Sequence, residues 1–181
     1  MTINAGVEVT NVGHFSSMIC NGGDANSSAM SKLTIHGGVF SGGINTVKND
    51  ELGELTITDG SFSNASQCVI MNWHKANISG GTFETNEGAE TVLFTAKYHD
   101  TRAIGKLTLT GGTYICKTDQ ALLCDRYNNN EKYLGTASIA GGTFSRQPEA
   151  KYIAAGYEAK DNGNNTWTVG AAASAAFAAQ V

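Results

Sequence analysis

The chain has little proline and little charge. It contains one proline in 181 residues, and charged residues make up only 15% of the sequence, whereas glycine occurs 22 times. Disordered chains usually show the opposite balance, so this composition favours one folded, turn-rich β domain. The formal net charge of −4 also argues against a nucleic-acid surface, which needs clustered lysine and arginine. We therefore expect no nucleic-acid partner.

A targeting segment and a long apolar run are also missing. The first residues, MTINAGVEVTN, have neither a basic start nor an apolar core, so the sequence predicts no signal peptide. The longest apolar stretch, residues 170–181, is far shorter than the roughly 20 residues that a membrane span needs. We expect a protein that stays in the cell that makes it, leaves by another route, or is cut from a longer precursor.

The four cysteines, Cys20, Cys68, Cys116 and Cys124, show no CxxC spacing. The sequence therefore predicts no zinc site, and it indicates no other metal or cofactor. Three of the four lie next to apolar residues, which favours buried free thiols that act as small core residues. A disulfide is the alternative, although a domain with a large core does not need one.

What the chain does have is a repeated phrase of the form LTIxGGxF. Its five copies are Leu33–Phe40, Leu55–Phe62, Ala76–Phe83, Leu107–Tyr114 and Ala137–Phe144. Their closing aromatic residues lie 22, 21, 31 and 30 residues apart. A period in this range predicts stacked units that bury their apolar faces against one another.

Each copy predicts a strand, a sharp corner and a second strand. Alternation turns the leucine and isoleucine inward and the threonine outward. The glycine pair supplies the backbone conformations that a sharp corner needs. The aromatic residue that follows turns inward and stacks on its counterpart one coil away.

These units predict an all-β fold, a right-handed parallel β-helix of about five to seven coils. We expect residues 1–155 to form the coils, with Met1–Phe15 as an N-terminal cap. Residues 156–169 are expected to form a hairpin that closes the last coil. Tyr157 and Trp167 of this hairpin are expected to cover that coil. Residues 170–181, which are rich in alanine, are expected to form a short helical tail.

The GGTF coils resemble those of right-handed β-helix proteins of the pectate-lyase-like superfamily. That superfamily includes polysaccharide lyases, phage tailspikes and bacterial adhesins. The stretch from Gly141 to Val169 (GGTFSRQPEAKYIAAGYEAKDNGNNTWTV) is similar to the terminal coil and hairpin of surface and prophage-encoded proteins of anaerobic bacteria. The resemblance covers roughly residues 30–169 and implies the fold. It transfers no catalytic residue, because no catalytic motif of the lyases is present.

Two coils are longer than the others by about nine residues, and both insertions fall at one corner. They are Lys97–Gly105 and Arg126–Gly135, and Asn72–Lys75 occupies the same corner one coil earlier. Stacking in register brings the three segments side by side, and insertions on one face often form a binding face. The residues predicted to bind a ligand there are Trp73, His74, Tyr98, His99, Arg102, Asp125, Arg126, Tyr127 and Tyr133.

The residue types at this corner are suited to sugars. Aromatic rings stack on the apolar face of a pyranose, while amide, carboxylate and guanidinium groups bond its hydroxyls or carboxylates. The alternative is that the loops only pack their aromatic residues on the stacked coils.

The second strands predict an outward apolar stripe. In segments such as Val69–Met71, Val92–Phe94 and Leu122–Cys124, alternation sends two residues inward and leaves the middle one outside. The predicted stripe consists of Ile19, Ile70, Leu93 and Leu123. Its cover would be the tail, anchored by Phe177, or a neighbouring protomer. The remaining alternative is that all these residues are core residues at a corner.

Three functions are compatible with these patterns. The first is a non-catalytic surface component, such as a phage fibre, spike, capsid-decoration protein or adhesin-like module, located on a virion or an extracellular surface. Its expected partners are further copies of the chain, other surface proteins and polysaccharide. The alternative is a β-helix polysaccharide lyase or glycosidase, for which Asp100 and Asp125 are a candidate pair of carboxylates, although any two aspartates on adjacent coils would fit as well. A carbohydrate-binding module is compatible with the first function.

Overall fold

The protein is an all-β structure whose strands are mostly parallel. The computed structural model describes residues 1–23, 29–98, 103–117 and 119–173. Short strands follow one another along the chain and stack in three ladders, in which a strand usually pairs with the strand three places later. The chain therefore passes through the three ladders in turn, once in each coil.

The bounds of the strands follow this order. The first ladder contains β1 (Thr2–Ile3), β4 (Ser31–Ile35), β7 (Gly53–Ile57) and β10 (Lys75–Ile78), and the second contains β2 (Glu8–Asn11), β5 (Val39–Gly42), β8 (Ser61–Ala65) and β11 (Thr82–Thr85). The third contains β3 (Ile19–Asn21), β6 (Asn45–Asn49), β9 (Cys68–Asn72), β12 (Thr91–Thr95) and β14 (Ala121–Cys124). β13 (Lys106–Ile115) and β15 (Thr136–Phe144) each extend through both the first and the second ladder.

The long strands β13 and β15 join two ladders into one sheet. Together with the two C-terminal strands of the hairpin, the first two ladders form a curled 12-stranded sheet, and the third forms a separate 5-stranded sheet. The sequence predicts a corner between two strands in every coil, but in these two coils hydrogen bonding continues through the corner. Register shifts between Leu109 and Thr110 and between Thr110 and Thr113 mark the bend, as β-bulges do in other bent strands.

The core is built from columns of like side chains. The closing aromatic residues stack at centroid distances of 5.1, 4.9, 5.0 and 5.0 Å, with interplanar angles of 15° or less. The column consists of Phe40, Phe62, Phe83, Tyr114 and Phe144, all fully buried. The isoleucine positions form a second buried column, Ile35, Ile57, Ile78, Leu109 and Ile139. The predicted inward direction of these residues is confirmed.

The glycine pair at the corner serves two purposes. A Cβ atom on Gly111 would collide with the carbonyl oxygen of Ser79 in the previous coil. Gly112 has a φ angle of +94°, a conformation that side-chain-bearing residues rarely adopt. The first glycine therefore allows the coils to stack closely, and the second allows the chain to turn.

The third ladder contradicts the predicted outward stripe. Ile70 and Leu93 are fully buried and Leu123 is nearly so, and all three belong to the main core cluster. Ile19 is partly buried against the same cluster. The fifth predicted interface residue, Phe177, lies outside the described residues.

The side chains that face outward belong to the residues one position after the predicted stripe in each strand. Lys48 pairs in register with Met71, Met71 with Phe94, and Phe94 with Cys124. Met71 and Phe94 pack in a second, smaller apolar cluster rather than in the main core. The predicted stripe is therefore wrong by one residue. The prediction takes the first and last residues of each triplet to point inward, whereas in the structure the middle residue points into the core and the last one outward.

The two ends of the stack differ. β1 and β2 pair in parallel with β4 and β5, so the predicted N-terminal cap continues the ladders. At the other end, β16 (Tyr157–Asp161) and β17 (Trp167–Ala171) form the predicted hairpin, which is antiparallel and pairs with β15. Trp167 lies opposite Phe144, whereas Tyr157 is exposed and does not cover the last coil.

The predicted helical tail lies mostly outside the described residues, which end at residue 173. Among the residues that are described, none belongs to a helix long and apolar enough to span a bilayer. Short 3-10 turns occur at Tyr127–Asn129, Glu131–Tyr133 and Ala150–Tyr152. The first two belong to the insertion at the predicted binding corner.

Candidate functional site

A buried row of amide side chains fixes the corner at which the predicted site lies. The Nδ2 atom of Asn21 donates to Oδ1 of Asn49 at 2.8 Å, and Nδ2 of Asn49 donates to Oδ1 of Asn72 at 2.8 Å. Nδ2 of Asn72 then donates to the hydroxyl oxygen of Thr95 at 3.0 Å. The same amides also donate to main-chain carbonyls, such as Gly53 and Lys75 for Asn49. These bonds satisfy the polar groups that the turn of the chain buries.

The residues that follow this row lie at one corner in successive coils. Asp50 and Glu51 follow Asn49, and Trp73 follows Asn72. The main-chain N–H of Trp73 donates to the carbonyl of Asn49 at 2.8 Å. The register therefore places two carboxylates one coil away from the tryptophan.

Aromatic residues from three coils meet at this corner. The ring centroid of Trp73 lies 4.9 Å from that of Phe94, 5.0 Å from that of Tyr98 and 5.4 Å from that of Tyr127. The interplanar angles are 66°, 72° and 76°, so each contact is edge-to-face. Trp73 is 4% exposed and Tyr98 is 41% exposed. Tyr133 lies 6.3 Å from Tyr127. The structure thus gathers four of the predicted aromatic positions, and Trp73 forms the base of the cluster.

The two insertions lie side by side, as predicted for their described residues. The N–H of Lys97 donates to the carbonyl of Tyr133 at 3.1 Å, and Ala96 bridges to Leu134. Asn128 and Asn129 adopt left-handed conformations with φ angles of 52° and 53°, which asparagine tolerates better than most residues. This tight turn places Tyr127 over the outer face of the third ladder.

A first groove runs between the aromatic cluster and the acidic corner. It has a volume of about 380 Å³. Its walls consist of Lys48, Asp50, Glu51, Gln67, Met71, Trp73, Tyr98 and Tyr127. The groove therefore combines aromatic rings with charged and amide side chains.

A second groove of about 290 Å³ lies beside the first and shares four of its residues. The shared residues are Gln67, Met71, Trp73 and Tyr127, and the second groove adds Glu90, Phe94, Cys124, Arg126, Asn128 and Asn129. The two grooves together form a continuous surface across the outer face of β6, β9 and β12.

The charges in the first groove are not balanced. Lys48 forms an ion pair of 2.6 Å with Asp50, and Asp50 also accepts the N–H of Glu51 at 3.1 Å. Glu51 is 3% exposed, and no donor among the described residues bonds its Oε1 atom. One lysine and two carboxylates leave a formal charge of −1.

Several predicted ligand-binding residues have structural partners elsewhere. The Nδ1 atom of His74 lies 3.2 Å from the carbonyl oxygen of Gly53, within hydrogen-bonding distance, and His74 does not line either groove. Asp125 pairs with Lys151 at 3.1 Å and with Arg126 at 3.2 Å. Only Arg126 of these residues lines the second groove. His99 and Arg102 lie outside the described residues.

The network around Asp125 is electrostatically satisfied. Burial alone would raise the pKa of Asp125, but hydrogen bonds from Lys151, Tyr152 and Arg126 lower it overall. Burial raises the pKa of Tyr152 to about 12. Such an arrangement holds the insertion against the final coil.

The cysteines are free thiols. Cys68 is buried, and burial raises its pKa, as expected for a small core residue. Cys20 is exposed, which contradicts the prediction for that position. Within the described ranges, no three histidine, cysteine, aspartate or glutamate side chains are close enough to hold a metal ion together.

Comparisons with known proteins add no identity. No family model, no curated protein and no solved structure matches this chain. The chemistry of the two grooves is therefore the basis for assigning a function.

Proposed function

We propose that this chain is a right-handed parallel β-helix of the pectate-lyase-like kind that serves as a non-catalytic, adhesive component of a virion or cell surface. Its ligand is a glycan, bound along the two grooves at the aromatic corner. The stacked coils act as a stiff support, and copies of the chain or other surface proteins are its assembly partners.

The observation that carries this proposal is the joint lining of the grooves. Trp73, Tyr98 and Tyr127 come from three successive coils and border the same space as Gln67 and Asp50. Sugar recognition needs this combination, because a pyranose presents an apolar face to a ring and hydroxyls to polar groups. The alternative that these aromatic residues only pack together explains Trp73, which is nearly buried. It does not explain Tyr98, which remains 41% exposed.

The parallel ladders support the structural part of the proposal. Successive strands pair in parallel along each ladder, and like side chains stack in register through the core. Repeat proteins of this kind contact only neighbouring units, so loops can vary at one corner without disturbing the rest. Binding residues on such loops are held by a rigid scaffold.

A glycan array with the wild-type chain and a Tyr98→Ala variant tests the proposal. We expect the wild type to bind a defined set of glycans and Tyr98→Ala to weaken that binding by about tenfold. Tyr157→Ala is the matched control, because Tyr157 is 39% exposed and lies on the hairpin. Its binding should equal that of the wild type.

Two results would contradict the proposal. One is a wild-type chain that binds no glycan on the array. The other is a Tyr98→Ala variant that is folded and binds as well as the wild type. Turnover of a bound polysaccharide would instead support the alternative enzyme function.

A further inference from the structure

We propose that the first groove binds an ammonium group, so that the glycan recognised by this surface contains an amino sugar with a free amine. This inference rests on the proposed glycan-binding function and specifies its ligand class. Glu51 is the residue that would pair with the ammonium group.

The first argument is the state of the Glu51 side chain. Glu51 is one of the residues that line the first groove, is 3% exposed, and has a buried Oε1 atom without a hydrogen-bond partner among the described residues. A buried carboxylate oxygen without a donor is destabilising, and such groups are rare in folded proteins. A ligand that donates a charged N–H to this oxygen would offset that cost.

The second argument is the distribution of charge. Asp50 is already paired with Lys48 at 2.6 Å, so these two charges compensate one another. Glu51 is left as the uncompensated charge of the groove, and a neutral hydroxyl would leave it uncompensated. A cation is the complementary group, because charge-assisted hydrogen bonds are about twice as strong as neutral ones.

The third argument is the aromatic lining. Trp73, Tyr98 and Tyr127 border the groove that Glu51 also borders. The faces of tryptophan and tyrosine rings attract cations, and the attraction is larger where water is excluded. A groove with aromatic walls and one unpaired carboxylate is suited to an organic ammonium group.

The adjoining groove favours a saccharide as the carrier of the amine. Gln67 and Tyr127 line both grooves, and the second groove adds the amides of Asn128 and Asn129 and the guanidinium of Arg126. These groups donate and accept hydrogen bonds as hydroxyls require. A sugar ring with its amine in the first groove would extend its hydroxyls along the second.

Calorimetric titration with two matched oligosaccharides tests the inference. The probes are triglucosamine, which carries free amines, and its fully N-acetylated form, measured with the full chain at about pH 6, below the pKa of a terminal amine. We expect triglucosamine to bind at least about tenfold more tightly than the acetylated form. Glu51→Gln should abolish this preference. Glu158→Gln is the control, because Glu158 is exposed on the hairpin and lines neither groove, and it should change the affinity by less than about twofold.

Thermal unfolding of the unliganded variants provides a second readout. Glu51→Gln removes an uncompensated buried charge, so its melting temperature should equal or exceed that of the wild type. A marked decrease would show that Glu51 has a structural partner and would overturn the inference.

The outcomes separate this inference from the proposed function. Equal binding of both oligosaccharides, or unchanged triglucosamine binding by Glu51→Gln, overturns the amino-sugar inference and leaves glycan binding intact. Equal losses in Glu51→Gln and Glu158→Gln also overturn it, because the overall negative charge of the protein would then explain the preference. Binding of methylammonium but of neither oligosaccharide overturns the saccharide part. Failure of both oligosaccharides together with an array that shows no glycan binding removes the proposed function as well.

Discussion

At the scale of single residues, the amide row explains how a polar corner can be buried. Asn49 is fully buried, yet its side chain bonds Asn21, Asn72 and two main-chain carbonyls. A hydrogen-bonded amide costs little to bury, whereas an amide or carbonyl that loses its partner costs about 1–3 kcal/mol. The row thus holds successive coils in register at the corner that supports the grooves.

Replacing Asn49 by alanine should lower the free energy of unfolding by about 3–5 kcal/mol, because several buried partners would lose a hydrogen bond at once. Asn162→Ala is the control, since Asn162 is exposed and its side chain bonds the hydroxyls of Thr166 and Thr168 in the hairpin, and its cost should be at most about 1 kcal/mol. Urea unfolding followed by circular dichroism measures both. Equal costs for the two variants would contradict the structural role of the row.

The sequence predicts most buried residues but misses the acidic part of the groove. The repeated phrase predicts the leucine, isoleucine and aromatic columns because each position recurs with the same residue type. Glu51 escapes prediction because its coil lacks the apolar triplet of the others. Alignment of Asn49 with Asn72 would have supplied the missing register, which places Asp50 opposite Trp73 and Glu51 one residue further along.

At the scale of strands, close stacking depends on the first glycine of three corners, Gly80, Gly111 and Gly141. Gly111 leaves no room for a Cβ atom against the carbonyl of Ser79, while Gly170 in β17 has no neighbour within 4 Å of such an atom. The two glycines therefore differ in the room that each leaves for a Cβ atom, and neither has a positive φ angle. This pair isolates the effect of stacking from that of backbone conformation.

Gly111→Ala should destabilise the protein by about 1–3 kcal/mol, because the coils must move apart to admit the methyl group. Gly170→Ala should change stability by no more than about 0.5 kcal/mol. Thermal and urea unfolding of the two variants provide the comparison. If Gly111→Ala were as stable as Gly170→Ala, the close approach of the coils would be wrong.

The sequence pattern does not predict which side chains of the third ladder face outward. A triplet such as Val69–Met71 is apolar at every position, so alternation alone does not reveal which residue faces outward. The structure buries Ile70 in the core and turns the row of Met71 toward the aromatic cluster. Lys48 occupies the same row one coil earlier, and its charge is the signal that identifies the outer face.

At the scale of the whole molecule, the aromatic column and the groove depend on the same register. The column aligns Phe83 with Tyr114 across an insertion of about nine residues, at a centroid distance of 5.0 Å. The insertion leaves the stack at one corner and returns to it without shifting the ladder. If the register were different, Trp73, Tyr98 and Tyr127 would not meet, and both proposals would lose their basis.

Nuclear Overhauser effects between the rings of the column test this register most directly. A sample with labelled phenylalanine and tyrosine should show contacts between successive rings, from Phe40 through Phe62, Phe83 and Tyr114 to Phe144, at the observed spacing of about 5 Å. Alternate rings should show none. Absence of the Phe83–Tyr114 contact, or contacts between rings that are not neighbours in the column, would contradict the stacked architecture on which the account depends.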